Sequence, residues 1–99
     1  MKVDFAVLEW EISASGLRSK SFETGEKRVR LLEHSREVRE EEWCEKQHVG
    51  YVLEGELEID FSDKTETFRA GDGLFISAGE KHKARSVTEK TLLFLVEDI

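Results

Sequence analysis

The sequence predicts an all-β protein, a compact antiparallel barrel. Apolar and polar residues alternate clearly from position 51 to 61, as they do in a half-buried strand. Further short runs rich in β-favouring residues follow, separated by glycines and polar turn residues. Roughly seven or eight strands joined by short turns leave few topologies other than such a barrel.

Length and charge restrict the functions that this chain can have. Its 99 residues predict one domain, spanning residues 1–99. The formal net charge of −7 argues against nucleic acid as a partner, because phosphate binding needs a concentrated basic face. No apolar run approaches the roughly 20 residues of a membrane helix, and the N-terminus lacks a signal-peptide pattern. The single cysteine cannot form an internal disulfide, so we expect a cytoplasmic protein without membrane contact.

The N-terminal half is expected to contribute two strands. The first covers residues 3–12, which are rich in Val, Phe, Trp and Ile, and the second covers residues 27–34. Residues 13–24 are polar and are expected to form a loop or a short irregular pairing. Residues 35–41 are charged and predict a solvated loop, with a short helix as the alternative.

The C-terminal half predicts a series of strands closed by short turns. The alternating strand at 51–61 is followed by a return strand at 65–68 and a short buried strand at 74–76. Strands at 82–87 and 90–96 complete the chain, and the last contains the strongest apolar run.

Four potential metal ligands lie close to these strands. Glu42 and Cys44 would point to the same side of an extended segment, and His48 follows after a short polar stretch. His82 comes from a second turn, after Gly79. We expect these four side chains to meet inside the barrel as a metal site.

The alternation raises a difficulty for His48. Its parity matches the acidic face of the 51–61 strand, opposite to Leu53 and Leu57. A β-bulge adds one residue and reverses the phase, so the sequence predicts a bulge or a sharp local bend between His48 and Leu53, with Gly50 as the natural place for a bulge.

The region around position 50 resembles the first motif of the cupin superfamily, G-x5-H-x-H-x3,4-E-x6-G. Gly55 matches its closing glycine. Counting back, His48 stands at the family's glutamate ligand, and Cys44 and Glu42 stand at its two histidines. Each position still carries a metal donor, although of another type.

The second cupin motif, G-x5-P-x-G-x2-H-x3-N, is better kept. Gly71, Gly79 and His82 match it, while Ser77 replaces proline and Ser86 replaces asparagine. The resemblance covers about residues 27–96 and implies a double-stranded β-helix, or jelly-roll barrel. Together with the apolar N-terminal segment, it also points to a homodimer.

The donor set predicts the cofactor. A thiolate, two imidazoles and a carboxylate suit Zn²⁺, and iron, nickel, manganese and copper remain alternatives. His34 on the neighbouring strand is the alternative fourth ligand and, with Glu42, a candidate proton carrier. Trp43 is interpreted as a core or dimer contact, with a place in the ligand pocket as the alternative.

Two classes of function follow from these observations. In the first, the protein is a metal-dependent enzyme that acts on a small molecule. In the second, it is a non-catalytic module that holds a metal or small ligand as a sensor or structural element. Fold alone does not choose between them, because cupins carry many unrelated chemistries.

Overall fold

The computed structural model describes all 99 residues and contains nine strands in two antiparallel sheets. The strands are β1 Glu11–Ala14, β2 Leu17–Thr24, β3 Lys27–Ser35, β4 His48–Glu54, β5 Glu56–Phe61, β6 Thr65–Arg69, β7 Gly73–Ile76, β8 His82–Ser86 and β9 Lys90–Asp98. A single turn of 3₁₀ helix, Phe5–Val7, precedes them, and the Asp4 side chain caps it by accepting a hydrogen bond from the Ala6 N–H at 3.0 Å. This turn is far too short to cross a membrane.

The two sheets enclose the core. The larger has the strand order β1-β2-β3-β9-β4-β7, and the smaller has the order β6-β5-β8. Inward side chains of both sheets form one apolar cluster of nine buried residues, Val52, Leu57, Ile59, Phe61, Phe68, Leu74, Ile76, Leu93 and Leu95. Two antiparallel sheets packed over a shared core confirm the predicted β-barrel class.

The predicted strand at 51–61 is in fact two strands in different sheets. Gly55 separates β4 from β5, with a φ of +85° that residues carrying a Cβ rarely adopt. A Cβ at this position would also lie 2.4 Å from the carbonyl oxygen of Lys90. Alternation alone did not reveal the break, because both strands are half-buried and of similar composition.

The irregularity predicted between His48 and Leu53 is present only at the far end of that range, and its placement at Gly50 is wrong. Gly50 lies in regular pairing, opposite Leu74 on one side and Leu95 on the other. The register of β4 against β9 shifts later, between Val52 and Glu54, just before the turn at Gly55.

The shift at the end of β4 decides which residues face the core. His48, Gly50 and Val52 share the inward face of β4, while Tyr51 and Leu53 lie on the exposed face. In β4 the even-numbered positions up to Val52 face inward. In β5, which belongs to the smaller sheet, the odd-numbered side chains face inward instead, beginning with Leu57. His48 therefore faces the interior without an early bulge.

The N-terminal predictions were wrong in two places. Residues 3–12 do not form a strand, because they hold the 3₁₀ turn and only the start of β1. Residues 13–24, predicted as a loop or a short irregular pairing, contain the end of β1 and all of β2, which pairs with β3 along its whole length. Residues 35–41 form no helix, as predicted.

Candidate metal centre

Cys44 and His82 are brought together by a pair of backbone hydrogen bonds. The Cys44 N–H donates to the His82 carbonyl at 2.9 Å, and the His82 N–H donates back to the Cys44 carbonyl at 2.9 Å. This isolated antiparallel bridge ties the loop before β4 to the first residue of β8. The thiol and the imidazole are therefore held on neighbouring backbones, although 38 positions separate them in sequence.

His48 enters the same space from the other sheet. It is the first residue of β4 and pairs with Ile76 of β7. Its ring lies 5.1 Å from the His82 ring between centroids, with the two planes at 82°. Its Nε2 lies 3.9 Å from the Sγ of Cys44.

In both His48 and His82, the Nδ1 atom of the ring lies within hydrogen-bond distance of an acceptor oxygen. Nδ1 of His82 lies 2.8 Å from the carbonyl oxygen of Glu80, and Nδ1 of His48 lies 3.2 Å from a carboxylate oxygen of Glu97. Neither a carbonyl nor an ionised carboxylate can donate, so each Nδ1 carries the hydrogen. In the neutral rings, both Nε2 atoms are then left with a lone pair for a metal ion, the arrangement that orients metal-binding histidines.

The three donor atoms of Cys44, His48 and His82 lie within 4.8 Å of one another. In a tetrahedral zinc site with the usual bond lengths, such atoms lie roughly 3.3–3.6 Å apart. A contraction of up to about 1.5 Å would therefore bring them into coordinating positions. The residues fit a metal ion by donor chemistry, by ring orientation and by spacing.

Glu42 does not join this group. Its side chain is exposed, and its carboxylate is not among the clustered donors. Of the four ligands expected from the sequence, the structure thus brings three together. Trp43 points away from the site because extended backbone alternates its side chains, whereas Glu42 lies at a bend in the chain, where the alternation that would place it beside Cys44 is lost. Trp43 is 44% exposed, and its ring packs under the Lys83 ammonium at 4.8 Å.

His34, the alternative ligand, lies in the same interior but outside the cluster. It is buried on the inner face of β3, and its Nδ1 donates to the Ser35 carbonyl at 3.2 Å. Its Nε2 has no hydrogen-bond partner.

Glu97 is the functional candidate that sequence reasoning missed. It is only 6% exposed, and besides His48 it accepts hydrogen bonds from Arg28 at 3.0 Å and Arg30 at 2.7 Å. Burial by itself would raise the pKa of Glu97, but the hydrogen bond from His48 and the charges of Arg30 and Arg28 outweigh it and lower the pKa to about 2. Glu97 is therefore an ionised carboxylate directly behind a candidate metal ligand.

A signal for Glu97 was present in the sequence. It shares its parity with Leu93 and Leu95 in the strongest apolar run of the chain, which places it on the buried face of β9. A carboxylate in such a position needs partners, because unpaired buried charges are costly.

A cavity of about 160 Å³ adjoins the three donors. Its lining is mostly apolar, and the residues are Leu17, Arg30, Leu32, His34, Glu40, Cys44, His48, Leu57, Ile59, Leu74, Ile76, His82, Ala84, Leu93 and Leu95. An apolar cavity with a few convergent polar groups is the usual form of a small-molecule site.

Comparison with known proteins agrees with this architecture. The family model described as Cupin domain matches residues 30–96. No curated protein matches the chain.

Several solved structures share the fold. An RmlC-like cupin from Shewanella frigidimarina is 18% identical with a TM-score of 0.75, and the match covers 97% of this chain and 87% of the other. A cupin-2 domain containing protein from the same organism is 26% identical with a TM-score of 0.67, covering 82% and 79%. The FeII HppE structure is 11% identical with a TM-score of 0.79, and the match covers all of this chain but 60% of HppE.

Proposed function

Since this chain belongs to the cupin family, we propose that it binds a divalent metal ion through Cys44, His48 and His82 and acts with it on a small molecule in the adjoining cavity. The observation that carries this proposal is the convergence of the three donor atoms within 4.8 Å, with both histidine Nε2 atoms free to coordinate.

Zinc is the metal that this donor set favours. Thiolate and imidazole are both usual zinc ligands, whereas magnesium and calcium prefer oxygen ligands. The FeII HppE structure shares only the fold with this chain, at 11% identity, so the choice of zinc rests on the donors alone.

The number of ligands favours action on a small molecule over a structural role. Structural zinc sites usually have four protein ligands, whereas catalytic sites have three and leave a position for water or substrate. Here three donors converge and the cavity lies beside them. When bound, the ion would supply Lewis acidity to a carbonyl group or to water.

The chain's own residues would prepare this site. Glu97 fixes the ring of His48, and the Glu80 carbonyl fixes the ring of His82, so neither ring needs to turn when a metal binds. The apolar lining, with Leu57 and Ile76 among its members, limits water around a bound molecule. A reducing compartment such as the cytoplasm would keep Cys44 available as a thiolate, and we propose it as the location.

We also propose that the protein forms a homodimer through the outer face of its larger sheet. Val49 pairs with Phe75 on one side and with Val96 on the other, and Tyr51 pairs with Phe94. Phe75 is 71% exposed and Tyr51 is 46% exposed. A second copy is the partner that best matches this surface, since two-fold symmetric pairing lets one apolar patch cover itself.

Zinc titration tests the metal proposal. Full-length protein purified without chelator and reconstituted with excess zinc should bind about one ion per chain. Failure to bind zinc, cobalt or iron after reconstitution would overturn it.

Addition of cyanide or azide to the cobalt-loaded protein separates the two classes of function. These small anions should change the visible spectrum if a coordination position is open, as expected for action on a small molecule. An unchanged spectrum would indicate a closed site, as expected for a structural or sensing module.

A further inference from the structure

Two buried polar side-chain atoms have no hydrogen-bond partner, and both belong to residues that line the cavity. They are Nε2 of His34 and Nε of Arg30, on the inner face of β3. His34 is only 2% exposed. Leaving a buried polar atom unpaired costs roughly 1–3 kcal/mol, so such atoms in folded proteins call for an explanation. The His34 atom, in a nearly fully buried side chain beside the cavity, points to a ligand that completes its hydrogen bonding.

The hydrogen-bond role of His34 follows from its other nitrogen. Nδ1 faces the Ser35 carbonyl at 3.2 Å and must donate to it, since a carbonyl only accepts. In the neutral ring, Nε2 is then an acceptor. Oε1 of Glu40 lies 3.5 Å from Nε2 and makes no hydrogen bond with it.

Two acceptors therefore face each other at the cavity wall. A carboxylate oxygen and an imidazole lone pair cannot bond to one another, but both can bond to one donor group placed between them. Glu40 is partly exposed, with its side chain at 29%, so this position is reachable from outside. The surrounding wall is apolar and includes Leu17 and Leu32.

We propose that His34 and Glu40 form a subsite that receives an O–H or N–H group of the small molecule. The assignment rests on the proposed function, because it takes the cavity beside the metal ligands to be the site of the small molecule. It adds the chemical class of that molecule. The ligand is a small, largely apolar alcohol, phenol or amine whose donor group bonds to Nε2 of His34 and Oε1 of Glu40. A molecule of the same shape without a donor leaves both acceptors unpaired and is rejected.

Matched probes test the subsite. Phenol and anisole share a ring, but only phenol carries an O–H donor, and benzylamine tests the N–H alternative. Dissociation constants are measured by NMR on full-length protein, both metal-free and zinc-loaded, with ¹⁵N-labelled histidine. At least one donor probe should bind tenfold or more tightly than anisole, and its binding should shift the Nε2 resonance of His34. Phenol or benzylamine as the preferred probe distinguishes a hydroxyl ligand from an amine.

Two variants and one control localise the effect. His34→Phe removes the acceptor at similar size, and Glu40→Gln introduces an amide that can donate to Nε2, so each should abolish the preference for the donor probe. Glu40 is partly exposed, so its variant is expected to fold even if the His34 variant does not. Thr91→Val is the control: Thr91 is buried opposite His34 on β9 but does not line the cavity, and its replacement should leave the preference intact.

Four results would overturn the subsite. They are equal binding of donor probes and anisole, no binding of any donor probe, a preference retained in both variants, and an N–H resonance at Nε2 of His34 that shows an internal ion pair with Glu40. The metal proposal fails separately, because loss of zinc binding would leave the donor preference of the metal-free protein unchanged.

Discussion

Nδ1 of His48 lies 3.2 Å from Oε2 of Glu97, and this contact joins the metal-ligand cluster to buried ion pairs on β3 and β9. The carboxylate orients the ring, keeps the hydrogen on Nδ1 and leaves Nε2 for the metal. Outer partners of this kind typically change metal affinity by 10–100-fold when they are altered.

Glu97→Gln is therefore expected to weaken zinc binding by about 10–100-fold. The variant removes the charge that favours the Nδ1–H form of His48, and its amide can turn to donate instead. Competition with a chromophoric chelator measures the affinity. Glu33→Gln is the matched control, because Glu33 is also a largely buried carboxylate, but its partners are Arg18 and Lys90 rather than a histidine of the metal-ligand cluster. Similar losses in both variants would show a general loss of stability rather than an effect on His48.

The stability of the metal-free protein should fall in acid because of the same carboxylate. The pKa of Glu97 is lowered from 4.5 to about 2 in the folded chain, so its ionised form stabilises the fold above pH 4.5. This contribution is lost as the pH falls from about 4.5 through about 2. Urea unfolding of wild type across this range should show a steeper loss than Glu97→Gln. The unfolding free energy of the variant should still depend on pH to some extent, since the pKa values of Glu33 and Asp60 are also lowered in the folded chain. Parallel profiles would contradict the assignment.

Gly50→Ala should destabilise the barrel by roughly 2–4 kcal/mol. A Cβ at Gly50 would lie 2.1 Å from the Phe94 carbonyl oxygen, so β4 and β9 would have to separate. Gly73→Ala on the adjacent β7 is the control, since its new Cβ would come no closer than 4.0 Å to any atom. Urea denaturation should show a large loss for Gly50→Ala and a small change for Gly73→Ala. Equal effects would mean that the close approach at Gly50 does not limit stability.

Phe75→Glu should convert the proposed dimer into a monomer. Phe75 is the most exposed aromatic side chain of the outer sheet face, and a carboxylate there would have to be desolvated in a symmetric interface. Light scattering after size exclusion reports the mass. Val87→Glu, at an exposed position just beyond β8 in the smaller sheet, should leave the mass unchanged. A monomeric wild type would contradict the proposal directly.

The fold class and most C-terminal strands could be predicted from the sequence, because burial on one face imposes a period of two on the side chains. β2 could not, since its Arg18, Ser19 and Lys20 give no apolar pattern and the strand is held by backbone pairing with β3. The division of the predicted 51–61 strand at Gly55 could not be predicted either, because the alternation continues on both sides of it. Alternation shows that a strand has one apolar face, but it shows neither the sheet to which the strand belongs nor whether that face is turned to the core, and the apolar Tyr51 and Leu53 are exposed.

The residues of the candidate site likewise include some that the sequence could predict and some that it could not. Cys44, His48 and His82 could be found from donor chemistry and from the spacing of the cupin motifs. Glu42 was grouped with them by its two-residue spacing from Cys44 and its place in the cupin motif, but the chain bends at Glu42 and its side chain is exposed. The role of Glu97 depends on the antiparallel register that places β9 beside β3 and β4, and no local pattern specifies that register.

Cobalt(II) titration monitored in the near ultraviolet is the most direct test of the metal centre. Wild type should bind about one ion per chain and develop a thiolate-to-cobalt charge-transfer band. Cys44→Ser should abolish the band, His82→Ala should sharply reduce binding, and Glu42→Gln should retain both. Absence of the band in wild type, or its persistence in Cys44→Ser, would contradict coordination by Cys44, His48 and His82.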